Sequence, residues 1–272
     1  MKANDWLSRA QTQLSDANIA TARLDSLVLL EDCLQQDRAY LLAHPDIELT
    51  DEQTAALQAQ LTRRAGHEPL AYIRGKTEFY GREFYVNEYV LEPRPESETM
   101  IDLLKQLRTP EATIADIGTG SGALAITARL ELPNAKVAAV DIDTNCLNVT
   151  AKNMDLHNVR VECFLGNLLK PFLQKSCNFL PDVLLCNLPY VPDNFQINQA
   201  ATHEPSLALF GGPDGLDLYR TLFTQAAQLT KMPIILTESL PPQHPSLTMV
   251  AGEHGYVQTA EDDFIQVFKP AD

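Results

Sequence analysis

Residues 113–132, TIADIGTGSGALAITARLEL, decide how the rest of the chain is read. A short apolar run carries Asp116 near its end, glycine then recurs at 118, 120 and 122, and apolar residues resume at helical spacing from Ala123. That order is a strand, a tight turn and a helix. Gly118, Gly120 and Gly122 let backbone approach a ligand where a Cβ would collide, and the next helix presents unpaired N–H groups to it. Thr119 and Ser121 complete the turn. The pattern also satisfies GxGxxA through Ala123, so the turn alone fits a nicotinamide dehydrogenase too. Asp116 is placed to orient the loop or to face a cationic ligand.

Downstream the alternation continues: KVAAVDID (136–143), the helical TNCLNVTAKNMDLH (144–157), VECFLG (161–166), PDVLLCN (181–187), a helix over about 216–230, and PIILTES (233–239). The chain closes with YVQTAED (256–262) and FIQVFKP (264–270), joined too tightly for a crossover. This rhythm predicts an α/β fold, a seven-stranded Rossmann-like sheet that is mostly parallel, with helices on both faces and an antiparallel far edge. Asp141 ends the strand KVAAVD, where a carboxylate accepts both hydroxyls of an adenosine ribose, and this points to a nucleoside cofactor. Asp143 reads as the cap of the following helix.

The stretch that separates dehydrogenase from methyltransferase is LLCNLPYV, residues 184–191. Hydride transfer has no use for Asn187-Leu188-Pro189-Tyr190 after a strand, whereas methyl transfer to a planar NH₂ does. An amide or exocyclic nitrogen is a feeble nucleophile because its lone pair is conjugated. If Asn187 Oδ1 and the carbonyl of Leu188 each accept one N–H, the lone pair is aimed at an activated methyl group. Pro189 stiffens the turn, and Tyr190, read as an exposed ring, stacks on the planar group. Positioning of this kind supplies about 7–11 kcal/mol in well-oriented intramolecular reactions, enough to need neither metal nor strong base.

The remaining composition bounds the answer. The 272 residues carry 21 Lys+Arg against 36 Asp+Glu, a net charge of −15, and no basic stripe, which disfavours a nucleic-acid partner. Cys33, Cys146, Cys163, Cys177 and Cys186 are scattered with no metal-ligand spacing and read as buried reduced thiols. The start lacks a signal-peptide core, and no run approaches the ~18 apolar residues of a membrane span, so a cytoplasmic location and no membrane contact are expected. Residues 1–72 read as a helical bundle, with Ala20, Leu24, Leu27, Leu30 and Leu34 at three- and four-residue steps and a Thr50 cap before a helix over 51–65. The segment holds six basic and eleven acidic residues. Residues 73–95 alternate aromatic and polar side chains around Gly81 as a β-hairpin linking two domains, and 96–272 form the sheet domain.

Several stretches together resemble the HemK-like protein-(glutamine-N5) methyltransferases: TARLDSLVLLEDCL, AYLLAHPDIELT, EPLAYIRGKTEFYGREFYV, EPRPESE against a PRP-x-[ST]-E motif, DIGTGSGALAI, and HEPSLALFGGPDGLDLYR. The resemblance covers nearly the whole chain. It implies a class I methyltransferase sheet using S-adenosylmethionine, released as S-adenosylhomocysteine, to methylate the glutamine of the Gly-Gly-Gln loop in class-1 peptide chain release factors. It implies cofactor binding by Asp116, Gly118, Thr119, Gly120, Ser121, Gly122, Asp141, Asn167, Leu168 and Asn187, amide recognition by Asn187 through Tyr190, release-factor docking on the acidic helical domain, and a monomer. Three departures stand out. Leu188 replaces the first proline of Asn-Pro-Pro-Tyr, Asn167 and Leu168 replace an Asp-aromatic pair beside the adenine, and LTESLPPQHPS keeps Glu238 but lacks the usual His-Gly. Because Asn-Leu-Pro-Tyr also occurs in adenine-N6 methyltransferases, a nucleic-acid methyltransferase stays an alternative, as does a degenerate member without chemistry. Glu204 reads either as a contact to the protein substrate or as a partner of Arg220, the structural role being favoured.

Overall fold

The computed structural model describes residues 1–271. It divides into two compact units: residues Met1–Gly75 with Ile197–His203, and residues Lys76–Gln196 with those from Glu204 onward.

The first unit contains α1 (Ala3–Asp16), α2 (Ala22–Leu34), α3 (Arg38–Ala43), α4 (Asp51–Ala65) and α5 (Leu70–Arg74). Its core joins Trp6, Ala10 and Leu14 of α1 to Leu29 and Leu30 of α2, Leu57 and Leu61 of α4, and Ile73 of α5. α4 starts where the sequence places it, on a reciprocal Thr50–Gln53 capping box, with Asp51 and Glu52 in its first turn and Arg63 and Arg64 in its last. The expected apolar stripe of α2 needs correction, since Leu24 is exposed and Ala20 lies outside the helix on the surface. Leu27 and Leu30 are buried as expected, and Ala22, Asp25, Ser26 and Leu29 share the buried side of the helix with them. Ser26 is admitted to it because its hydroxyl donates to the carbonyl of Ala22 at 2.7 Å.

The second unit opens with the hairpin β1 (Lys76–Phe79) and β2 (Arg82–Tyr85), whose turn residues Tyr80 and Gly81 both have positive φ. The hairpin is shorter than residues 73–95, and it is part of the sheet unit: Phe79 and Phe84 are buried in the core that also holds Ile114, Leu124 and Leu185. After α6 (Glu98–Gln106) come β3 (Thr113–Ile117), α7 (Ala123–Glu131), β4 (Lys136–Asp141), α8 (Thr144–Leu156), β5 (Glu162–Leu165), β6 (Val183–Cys186), α9 (Asp217–Ala226), β7 (Ile234–Glu238), α10 (His244–Glu253), β8 (Tyr256–Asp262) and β9 (Ile265–Pro270). Among the described residues the strands order as β5-β4-β3-β6-β7-β9-β8, with β9 antiparallel to both neighbours and the rest parallel. Strand order reverses between β3 and β6, which opens a crevice at their carboxyl ends. The glycine turn leaves β3 and Asn187 follows β6, so the two motifs meet there.

α10 is absent from the sequence reading because Pro-Pro-Gln-His-Pro looks like a breaker. Pro245 is tolerated there since it sits in the first turn, where its missing N–H costs nothing. Of the cysteines, Cys146 and Cys186 are buried as expected, while Cys163 is exposed because β5 is an edge strand.

Candidate active site

A cavity in the second unit is lined by the residues that the sequence singles out: Asp116, Gly118, Thr119, Gly120, Ser121, Asp141, Asn167, Leu168, Asn187, Leu188 and Pro189. Gly122 and Tyr190 do not line it. Gly122 is the left-handed residue that starts α7, with Thr150 packed so closely that a Cβ would have to displace it.

The glycine turn is held from three sides. Asp116 Oδ2 accepts from Thr119 Oγ1 at 2.7 Å and from the Ala125 N–H at 3.1 Å, so Asp116 braces the loop. Its carboxyl is pushed up to about 7, chiefly by burial, with the two hydrogen bonds acting the other way. Asp141 accepts from the Gly120 and Asp143 N–H groups, both at 2.9 Å, and burial raises its carboxyl as well. Asp143 caps α8 through the Asn145 N–H, as read. The third brace has no local signal in the sequence. Asn153, fully buried on α8, accepts from the Tyr85 N–H and donates to the carbonyls of Tyr85 and Ser121.

The fit to an adenosyl cofactor can be tested on this geometry. A Cβ at Gly120 would meet no atom within 4 Å, so this turn residue faces open space, and Asp141 lies against the same turn. Each Asp141 oxygen carries a single N–H bond, which leaves lone pairs for ribose hydroxyls. Leu168 walls the cavity in the left-handed region, φ 53°, an unusual conformation for a leucine, and Asn167 beside it offers an amide in place of a carboxylate. The residues present fit the group.

At the end of β6 the polar side chains form one connected cluster. Asn187 Nδ2 donates to Ser97 Oγ at 2.8 Å, Ser97 donates to Glu238 Oε2 at 2.6 Å, and Tyr190 Oη donates to Glu238 Oε1 at 3.1 Å. Burial pushes the Glu238 carboxyl up to about 7 against these hydroxyl donors. Tyr190 is therefore half-buried, with its ring against the core and its hydroxyl engaged, and is not the exposed ring that the sequence suggested. Leu188 is buried, and its N–H donates to Tyr219 Oη at 3.3 Å. A proline there would have no N–H, so a tether stands in for the lost ring stiffness.

The stretch EPSLALFGGPDGLDLYR supports this turn from behind. Gly211 and Gly215 lie where a Cβ would collide with the carbonyls of Pro189 and Tyr190, and Gln243 Nε2 bonds the Tyr190 carbonyl at 2.8 Å. Glu204 is structural, but its partner is Arg94 at 2.6 Å; Arg220 bridges Asp214 and Asp217 instead. Ser97, Asn153 and Glu238 are the functional-region residues whose links the sequence reading does not contain.

Comparison with known proteins bears on the family and the fold. A family description of the PrmC N-terminal domain matches residues 5–75, and one of ribosomal protein L11 methyltransferase matches residues 95–189. A release factor glutamine methyltransferase of Koribacter versatilis is 37% identical over 222 residues, covering 79% of this chain and 78% of the relative. The chain belongs to the release factor glutamine methyltransferase family. A second such enzyme, from Geobacter sulfurreducens, is 34% identical over 84% of this chain and 78% of its own. A bifunctional methyltransferase of Rickettsia bellii is 30% identical, and the chain spans only 51% of that longer protein. Among solved structures, the catalytic domain of hMettl16 bound to a MAT2A 3′UTR hairpin superposes with a TM-score of 0.51 at 14% identity, over 83% of this chain and 82% of that one. That likeness concerns the fold.

Proposed function

We propose that this protein transfers a methyl group from S-adenosylmethionine to the side-chain amide nitrogen of the glutamine in the Gly-Gly-Gln loop of class-1 release factors. The observation that carries the reading is Asn187 at the cavity edge with its Nδ2 already committed to Ser97. Its carbonyl oxygen is thereby available as an acceptor for an incoming NH₂.

Bound S-adenosylmethionine supplies a methyl group activated by a positively charged sulfur. The chain's own residues do the rest. Asp141 would hold the ribose, Gly118 to Gly122 would allow the turn its close approach, and Asn167 and Leu168 would flank the base. Asn187 Oδ1 and the Leu188 carbonyl accept the two N–H bonds of the glutamine, orienting its lone pair. The nitrogen lone pair would form the new bond to the methyl carbon as the carbon–sulfur bond breaks with its electron pair left on sulfur, and the nitrogen would give one proton to solvent. Pro189 keeps the turn stiff, and Tyr190 acts from its place on Glu238. The acidic helical unit serves as the docking surface for a partner that binds ribosomal RNA and is therefore basic. On this reading the protein acts as a monomer in the cytoplasm.

The test is labelled methyl transfer to purified release factor, with total RNA as a parallel substrate and mass measurement of the Gly-Gly-Gln peptide. A single added methyl on the glutamine is expected, and Asn187→Ala abolishes it while leaving cofactor affinity largely intact. Label entering RNA but not the peptide would favour an adenine-N6 methyltransferase. Label entering neither would mark a member without chemistry.

A further inference from the structure

We propose that Ser97 and Glu238 are positioning residues that fix which end of the Asn187 amide faces the cavity, a role that rests on the glutamine-transfer reading. A carboxamide has two ends of nearly the same shape and opposite hydrogen-bonding character. Ser97 has a single hydroxyl proton, and it lies on Glu238 Oε2 at 2.6 Å. With Glu238 ionised and that proton committed to it, Ser97 Oγ can only accept, and what it accepts is the Nδ2–H of Asn187 at 2.8 Å. The reversed amide would set Oδ1 against the lone pairs of Ser97 and would turn an NH₂ donor toward the N–H groups of the nitrogen that is to be methylated.

The anchor at the far end is built to hold this direction. Glu238 is fully buried at the end of β7, and Tyr190 donates to its other oxygen at 3.1 Å, so the carboxyl is gripped from both sides. Its backbone carbonyl is in turn bonded by the buried Tyr219 hydroxyl, which also contacts the Cys186 carbonyl at 3.1 Å. The donors to the Glu238 side chain are all neutral, the hydroxyls of Ser97 and Tyr190 and the Asn187 amide, an unfavourable setting for a buried carboxyl. Such a group beside a cavity is the pattern of a residue retained for the geometry of a site. Positions 187 and 190, at the two ends of the Asn-Leu-Pro-Tyr turn, are thus referred to one carboxyl group.

The experiment compares wild type with Ser97→Ala, Ser97→Thr and Glu238→Gln. Two measurements are made: steady-state transfer to release factor, and hydrogen exchange of the Asn187 side-chain NH₂ by NMR, which needs no substrate. Expected results are a drop in kcat of about 10–100-fold for Ser97→Ala, on the scale of a misplaced orienting group, with KM for release factor and cofactor affinity within threefold. Ser97→Thr recovers kcat, and the slow exchange of the wild-type Asn187 amide is lost in Ser97→Ala. Should Ser97→Ala fail to fold, Glu238→Gln carries the same test, with kcat falling about tenfold at unchanged KM. The proposal is overturned if the wild-type amide exchanges as fast as an exposed one, or if the folded variant keeps kcat within threefold. If wild type methylates no glutamine, the functional reading fails, and the exchange measurement still decides the amide anchor.

Discussion

The α-carbon of Gly215 lies so close to the carbonyl oxygen of Tyr190 that a methyl group added to it would overlap that oxygen and Gln243 Nε2. Gly215 also has φ +80°, a conformation that costs a side-chain-bearing residue about 1–2 kcal/mol. Overpacking adds about 1–3 kcal/mol. Gly215→Ala is therefore expected to lower the denaturant midpoint and to reduce methyl transfer by displacing the turn that carries Asn187. Gly252→Ala, where nothing lies within 4 Å, serves as the control and should be neutral or stabilising by up to about 1 kcal/mol. Equal midpoints for the two variants would contradict the close approach.

Asp116 sets a direction for the pH dependence of stability. Its carboxyl is held at about 7 in the folded protein, against roughly 3.9 in an unfolded chain. Between these values the folded state binds the additional proton, so this group's contribution is complete below about pH 4 and is lost as pH rises toward 7. Asp116→Asn keeps an acceptor for Thr119 and Ala125 but cannot titrate. The unfolding free energy of wild type minus that of the variant should fall between pH 4.5 and 7 by up to about 1.4 kcal/mol per pH unit. A flat difference across this range would disprove the assignment.

Arg94 and Glu204 form an ion pair in which the Glu204 side chain is only 1% exposed. Removing the cation leaves a buried carboxylate without its partner, and because Arg94 itself is 36% exposed, Arg94→Ala should cost about 1–3 kcal/mol at pH 8. Burial already raises the Glu204 carboxyl, and protonation relieves the variant, so the loss should shrink toward pH 5. The double variant Arg94→Ala/Glu204→Gln should recover most of the stability. Additive losses in a double-mutant cycle would mean that the pair is not coupled.

Residues 1–72 hold six basic and eleven acidic residues, so the docking of a basic protein proposed for them would have an electrostatic part. Raising salt from about 0.05 to 0.5 M shortens the screening length from about 14 to 4 Å, so KM for release factor should rise several-fold while cofactor affinity changes little. An unchanged KM would remove docking on the helical unit.

Much of the sheet is legible in the sequence because each step is local: Gly118 to Gly122 after an apolar run, Asp141 closing the next strand, Thr50 three residues before Gln53. What the sequence hides is made by partners far apart in the chain. Ser97 meets Asn187 and Glu238, Asn153 meets Tyr85 and Ser121, and Arg94 meets Glu204, and no spacing rule connects such pairs. Helix α10 is missed for a different reason: proline in a first turn looks in sequence like proline that ends a helix. The exposure of Tyr190 is misjudged because the carboxyl that captures its hydroxyl lies on another strand.

The helical unit is not continuous along the chain. Its 1–75 portion is joined by residues 197–203, and His203 bonds the carbonyl of Gly66 at 3.0 Å. During synthesis on the ribosome the first portion therefore emerges long before the short piece that completes it, after β3, β4, β5 and β6 have already been made. A gene cut after residue 75 would yield a bundle lacking this brace and leave a seven-residue orphan within the remainder, so neither fragment is a fair stand-in for its half of the molecule.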